Sequence, residues 1–257
     1  MNFNDTPILD CQKILITGGT SGLGLAMAQA LTKAGAQVAI TSRKASRANS
    51  VAKSLSNAVG IMMDSMDENS VIEGLDEAYS KLGDIDMLVN NAGLGMITVN
   101  PNFMTEPMGF WEVPTKKFKD VIDTNLTGYF LVAKYITQKM IKSGNGRIVN
   151  ISMNHSTMNR KGFVPYGPSR AGAEALSRIM ASDLEGRGIN VNILLPGGAT
   201  KTGMLPESAR NLSVNLNLLD PSVMGPPIVW LASKQARDVH NERIIANEFS
   251  EWLAKRR

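Results

Sequence analysis

A chain of 257 residues with 43% apolar residues can bury a substantial core, and its net charge of +4 carries no basic stripe interleaved with aromatics, which argues against a nucleic-acid surface. No apolar run approaches the roughly 18 residues of a membrane span, and the polar opening Met1-Asn-Phe-Asn-Asp-Thr-Pro7 is unlike a secretory signal. The single cysteine, Cys11, excludes an internal disulfide framework and fits a reducing cytoplasm, and nothing near it activates the thiol.

Short apolar runs alternate with longer helical patterns from one end to the other. A strand over Lys13–Thr17 leads into a helix over Gly22–Ala34, and Gln37–Thr41 into Ala45–Leu55. Val59–Met63 precedes a helix over Asn69–Leu82, and Asp86–Asn90 precedes a long one over Thr115–Lys142. Arg147–Ile151 is followed by Pro168–Gly186, Asn190–Leu194 by Pro221–Ser233, and Arg243–Ala246 is the last strand. Nearly continuous apolar strands separated by helices imply a parallel sheet covered on both faces. The reading is therefore α/β: one domain over residues 1–257, a doubly wound Rossmann-type sheet of about seven strands.

Two connections are long, Asn91–Pro114 and Pro196–Asp220, and both leave the carboxyl ends of strands, where such sheets place ligands. Phe103, Met108, Phe110 and Trp111 in the first of them point to a medium-sized, largely apolar substrate. In the turn Thr17-Gly-Gly-Thr-Ser-Gly-Leu-Gly24, the glycines Gly18, Gly22 and Gly24 let the backbone approach a pyrophosphate. The helix that follows presents free N–H groups and its positive dipole end to that phosphate. A nucleotide cofactor is the first expectation. No Cys/His/carboxylate cluster has metal-ligand spacing, so no catalytic metal is expected.

Further residues complete a pattern. Asp64 closes the third strand, Asn90-Asn-Ala-Gly93 closes the fourth, Asn125 lies within Thr124-Asn-Leu-Thr-Gly128, Tyr166 stands four residues before Arg170, and Pro196-Gly197 follows the sixth strand. In order and spacing the chain resembles the short-chain dehydrogenase/reductases over nearly its whole length. The resemblance implies that Gly18, Thr20, Ser21, Gly22, Leu23 and Gly24 cradle the pyrophosphate. Asp64 and the Ser65 amide would meet the adenine, and Asn91, Ala92 and Gly93 would form the wall beside the adenosine ribose. Pro196, Gly197 and Ala199 would face the nicotinamide amide, with Thr202 helping.

Relatives that prefer NAD carry an acid at the end of the second strand, whereas this chain has Thr41-Ser42-Arg43. Ser42 and Arg43 can bind a 2′-phosphate that a carboxylate would repel, with Lys44 a second candidate, so the expected cofactor is NADP(H), with NAD the alternative. The family's site joins a serine, a tyrosine and a lysine to the asparagine. Here the resemblance implies Tyr166 as the general acid/base and Asn125 as the holder of a relay water. Arg170 occupies the lysine position, where it still favours tyrosinate and bonds the ribose.

The serine position, thirteen residues before Tyr166, is Met153, which cannot donate a hydrogen bond. An early end to the fifth strand would bring Asn154, His155 or Ser156 into its place. The resulting expectation is an oxidoreductase of carbonyl reductase/alcohol dehydrogenase type, acting on a small-molecule ketone or alcohol. The altered site also fits a dinucleotide-binding regulator that does no chemistry, and Tyr166 with Arg170 resembles the pair of the halohydrin dehalogenases. By resemblance the chain is expected to form a homodimer or homotetramer through its fourth and fifth helices. No nucleic-acid or membrane partner is expected.

Overall fold

The computed structural model describes residues 8–207 and 217–256. Among them, seven strands form one all-parallel sheet: β1 (Lys13–Ile16), β2 (Gln37–Ser42), β3 (Ala58–Met62), β4 (Met87–Asn90), β5 (Gly146–Ile151), β6 (Ile189–Leu195) and β7 (Arg243–Ile245). Their order is β3-β2-β1-β4-β5-β6-β7. Ile14, Leu15 and Ile16 of β1 and Met87, Leu88 and Val89 of β4 have no exposed surface. Because helices cover both faces, these strands show no polar alternation, and that is why their sequences read as unbroken apolar runs.

On one face, α1 (Gly22–Lys33), α8 (Gly225–Ala232) and α9 (Phe249–Ala254) bury Met27, Leu31, Ile228, Leu231 and Phe249 against the sheet. On the other, α3 (Glu68–Leu82), α5 (Gly128–Ser143) and α7 (Tyr166–Asp183) contribute Val71, Leu75, Val132, Ile136 and Ala181. Each of the larger apolar side chains among these, Val, Leu, Ile, Met or Phe, adds about 1.5–3 kcal/mol when removed from water. The helix α2 (Ala45–Lys53) packs at the β2–β3 end. Strand order reverses between β1 and β4, which opens a crevice above their carboxyl ends.

Three local features differ from the sequence reading. The helix expected over Thr115–Lys142 is broken: α4 (Thr115–Ile122) and α5 are joined by a π-helical turn, Asp123–Thr127, with Asn125 inside it. The wider turn is closed by tertiary bonds from Asn125, and helical periodicity does not register it. The helix expected from Pro168 begins two residues earlier, at Tyr166, because proline is tolerated in the first turn, where its missing N–H has no partner to lose. Finally, β5 ends at Ile151 as expected, but the chain then turns into a short helix, α6 (His155–Met158), where none was expected.

Candidate active site

A cleft of about 560 Å³ lies over the carboxyl ends of the strands, a size within the usual range for small-molecule sites. It is continuous from the glycine-rich turn to Tyr166. Gly18, Thr20, Ser21, Gly22, Leu23, Ser42, Arg43, Asp64, Ser65, Asn91, Ala92, Gly93, Tyr166, Arg170, Pro196, Ala199 and Thr202 all line it.

At the end beside β1, Gly18 takes φ +63°, and a Cβ there would fall 2.9 Å from the Ala92 Cα. The Gly18 N–H donates to Thr41 Oγ1 at 3.2 Å, and Asn91 Nδ2 donates to the Thr17 and Gly18 carbonyls at 2.9 and 3.2 Å, so β2 and β4 both clamp the turn. Ser21 makes no side-chain cap, and the first turn of α1 holds no acid, which leaves the helix N-terminus electropositive toward the cleft. The Asp64 carboxylate accepts from the Met66 N–H at 3.1 Å through Oδ1. Arg47, on α2 four residues after Arg43, joins it in the lining.

At the other end, Asn125 is fully buried. Its Oδ1 accepts from the Leu94 N–H at 2.7 Å, and its Nδ2 donates to the Leu94 carbonyl and to Ser169 Oγ, each at 3.0 Å. Ser169 Oγ in turn donates to the Tyr166 carbonyl at 2.7 Å. The side chain of Asn125 thus fastens the loop after β4 to the first turn of α7. Arg170 is 2% exposed, with its Cζ 5.3 Å from the Tyr166 ring centroid. Its Nη1 donates to Tyr129 Oη at 2.7 Å and to the Ile151 carbonyl at 2.9 Å, while its Nε has no partner. Gly93 has to be small here, since a Cβ would lie 2.5 Å from Arg170 Nη2. Burial raises the Tyr129 pKa, so that phenol stays neutral.

The early end of β5 does not bring a replacement donor to the position of Met153. Met153 packs with Met96, Phe103 and Phe163. Asn154 lines the cleft, but its Nδ2 donates to the Gly197 carbonyl at 2.9 Å. Ser152 Oγ donates to Glu174 Oε1 at 2.5 Å, and His155 Nε2 lies 3.0 Å from Glu174 Oε2, outside the lining. Arg243 closes the group, with Nε 3.1 Å from both Glu174 oxygens and Nη2 2.8 Å from the Met153 carbonyl.

Burial alone would raise the Glu174 pKa, but these hydrogen bonds and the Arg243 charge outweigh it and hold the carboxyl below its ordinary value. Its stabilisation is therefore complete above the unfolded-state pKa of about 4.3 and is lost as pH falls through the lower folded value. Glu174→Gln is expected to cost about 1–3 kcal/mol at neutral pH. That deficit should shrink in acid, as read from urea midpoints at neutral pH and below the glutamate range.

Several expected residues lie elsewhere. Gly24 and Gly197 stand behind the wall: a Cβ at Gly24 would fall 2.6 Å from the Gly18 carbonyl oxygen, and one at Gly197 would strike Asn247 Oδ1, so both serve close packing. Lys44 is not in the lining. Of the aromatic loop, Phe103 lines the cleft together with Met104, but Met108 does not, and Phe110 and Trp111 are 70% and 76% exposed, stacked edge to face on each other. Residues 208–216 of the second long loop lie outside the described residues. The site also contains residues that the sequence reading did not single out. Tyr129 follows Asn125 by four along continuous helical backbone and Arg47 follows Arg43 by four across the start of α2, which is the signal that could have found them; Met204, whose Sδ lies 3.9 Å from Tyr166 Oη, has no such signal.

Among the described residues, no helix is long and apolar enough to cross a membrane, and no three His, Cys, Asp or Glu residues are grouped to hold a metal. The family model for short chain dehydrogenases matches residues 12–213. A 3-oxoacyl-(acyl-carrier-protein) reductase of Aquifex aeolicus is 37% identical over 188 residues, covering 71% of this chain and 72% of that protein. A serine 3-dehydrogenase of Agrobacterium fabrum is 32% identical over 228 residues, covering 86% and 88%. The crystal structure of a 3-ketoacyl-(acyl-carrier-protein) reductase from Brucella melitensis, complexed with NADH, superposes with a TM-score of 0.81 at 25% identity, covering 92% of this chain and 97% of that one.

Proposed function

Because this chain belongs to the short-chain dehydrogenase/reductase family, a family of NAD(P)-dependent oxidoreductases, we propose that it interconverts a ketone and an alcohol with NADP(H), using Tyr166 as the general acid/base. The observation that carries this reading is the single cleft that joins the bare N-terminus of α1 to the Tyr166 phenol.

The residues fit a dinucleotide. The α1 N-terminus suits a pyrophosphate, Asp64 an adenine amino group, and Arg43, Arg47 and Ser42 a 2′-phosphate, with no acid at the end of β2 to repel it. When bound, NADPH would supply the hydride to the carbonyl carbon. Tyr166 gives the proton to the carbonyl oxygen, with the permanent positive charge of Arg170 held 5.3 Å from its ring centroid. Tyr129 positions Arg170 there, and Asn125 positions the loop and helix that carry the rest.

Met153 stands where the family places its serine donor, and it leaves Tyr166 to polarise the carbonyl without that help. The same observation favours a second reading, a dinucleotide-binding regulator that does no chemistry. NADPH oxidation across a ketone and quinone panel separates the two, run beside Met153→Ser and Met153→Ser/Arg170→Lys. Wild-type turnover is expected, with kcat rising about 10-fold or more in Met153→Ser, since one well-placed donor of this kind is worth about 10²–10³. Turnover by the variants alone would favour the regulator. A homodimer or homotetramer fits the exposed Phe118, Phe130 and Ile141 on α4 and α5.

A further inference from the structure

The charges around the substrate end of the cleft are of one sign. Arg160, between α6 and α7, and Arg170 both line it, and the one carboxylate in the lining among the described residues, Asp64, follows β3. Arg170 is a buried cation with no ion-pair partner among the described residues and an orphaned Nε, an arrangement that is costly without a counter-charge nearby. Arg160 is likewise absent from every ion pair among the described residues.

Arg160 is exposed to solvent, and its side chain lies against the rim of the cleft. Its Cζ lies 5.4 Å from the centroid of the Phe163 ring, which meets Phe103 edge to face at 5.8 Å, so the guanidinium rests on the apolar wall of the cleft. The Phe163 N–H donates to the Arg160 carbonyl at 3.2 Å and the Gly167 N–H to the Phe163 carbonyl at 2.7 Å. The turn carrying Arg160 is thereby tied to the helical turn carrying Tyr166.

We propose that the substrate is an anionic carbonyl compound, an oxo acid whose carboxylate is taken by Arg160 while its ketone oxygen meets Tyr166. A forked guanidinium matches a carboxylate, and the apolar wall of Met96, Phe103, Met153 and Phe163 takes the carbon chain between the two. The carboxylate is unchanged by the reaction. This inference rests on the carbonyl-reductase reading, and its test keeps the two apart.

With NADPH, a panel of 2-, 3- and 4-oxo acids is assayed, each against its own methyl ester, in wild type, Arg160→Gln and Arg160→Lys. The acid is expected to exceed its ester in kcat/KM by about 10–100-fold, mostly through KM. That ratio should fall toward unity in Arg160→Gln and partly return in Arg160→Lys, whereas a structural role for Arg160 would lower both rates and leave the ratio alone. Equal rates for acid and ester, or a ratio untouched by Arg160→Gln, overturns the proposal while leaving the carbonyl-reductase reading intact. Calorimetry of hexanoate against hexanamide on the NADP-loaded protein covers the case of no turnover. Arg160-dependent preference for hexanoate then upholds the anion site and sinks the reaction, and equal binding of the two sinks the site.

Discussion

Tyr166→Phe is expected to lower kcat for carbonyl reduction by about 10²–10⁴-fold, the span of general acid–base catalysis, with a far smaller change in NADPH affinity. Tyr166 is the one phenol in the cleft lining among the described residues. Tyr129 is 1% exposed, donates its hydroxyl proton to the Ile151 carbonyl at 3.2 Å, and has its pKa raised by burial, so it cannot take over. With methionine at position 153 and His155 held by Glu174 outside the lining, neither of these positions gives the proton instead. The loss should therefore fall in the upper part of that span. Stopped-flow single turnover with fluorescence titration of NADPH separates chemistry from binding, and a variant retaining a tenth of the rate would remove Tyr166 from the role.

The second large effect concerns the cofactor. Arg43→Glu is expected to raise the Kd for NADPH by about 100-fold or more while the Kd for NADH stays level or falls. Each charge-assisted bond to the 2′-phosphate is worth roughly 1.5–3 kcal/mol, and a carboxylate in its place adds repulsion from the phosphate and an acceptor for the ribose 2′-hydroxyl. Arg47 lines the cleft beside Arg43 and should hold part of the affinity, so Arg43→Glu/Arg47→Ala should widen the discrimination further. Parallel weakening of NADPH and NADH by Arg43→Glu would show instead that the arginine only supports the loop.

These expectations depend to different degrees on sequence and structure. Strand positions were legible because strands buried on both faces must be apolar along their length, as Ile14–Ile16 and Met87–Val89 are. The glycine-rich turn was legible because positive φ at Gly18 and Gly22 calls for glycine. The π-helical turn at Asn125 was not, because what closes it comes from Leu94 and Ser169, thirty-one residues before and forty-four after. Phe110 and Trp111 read as substrate contacts from composition alone, but they pack on each other at the surface. His155 read as a spare donor from its place in the chain, but the Glu174 carboxylate that fixes it lies nineteen residues on.

By itself, then, the sequence determined the parallel sheet, the glycine-rich turn and the identities of Met153, Tyr166 and Arg170, because periodicity, backbone freedom and side-chain chemistry are local properties. Tertiary structure alone decided which groups face the cleft. The partnership of Arg170 with Tyr129, the engagement of Ser152 and His155 by Glu174 and the seating of Arg160 on Phe163 all arise where elements distant in the chain pack together. Hydrogen-bond and packing geometry at such junctions depends on the relative placement of whole helices and strands, which no local pattern encodes.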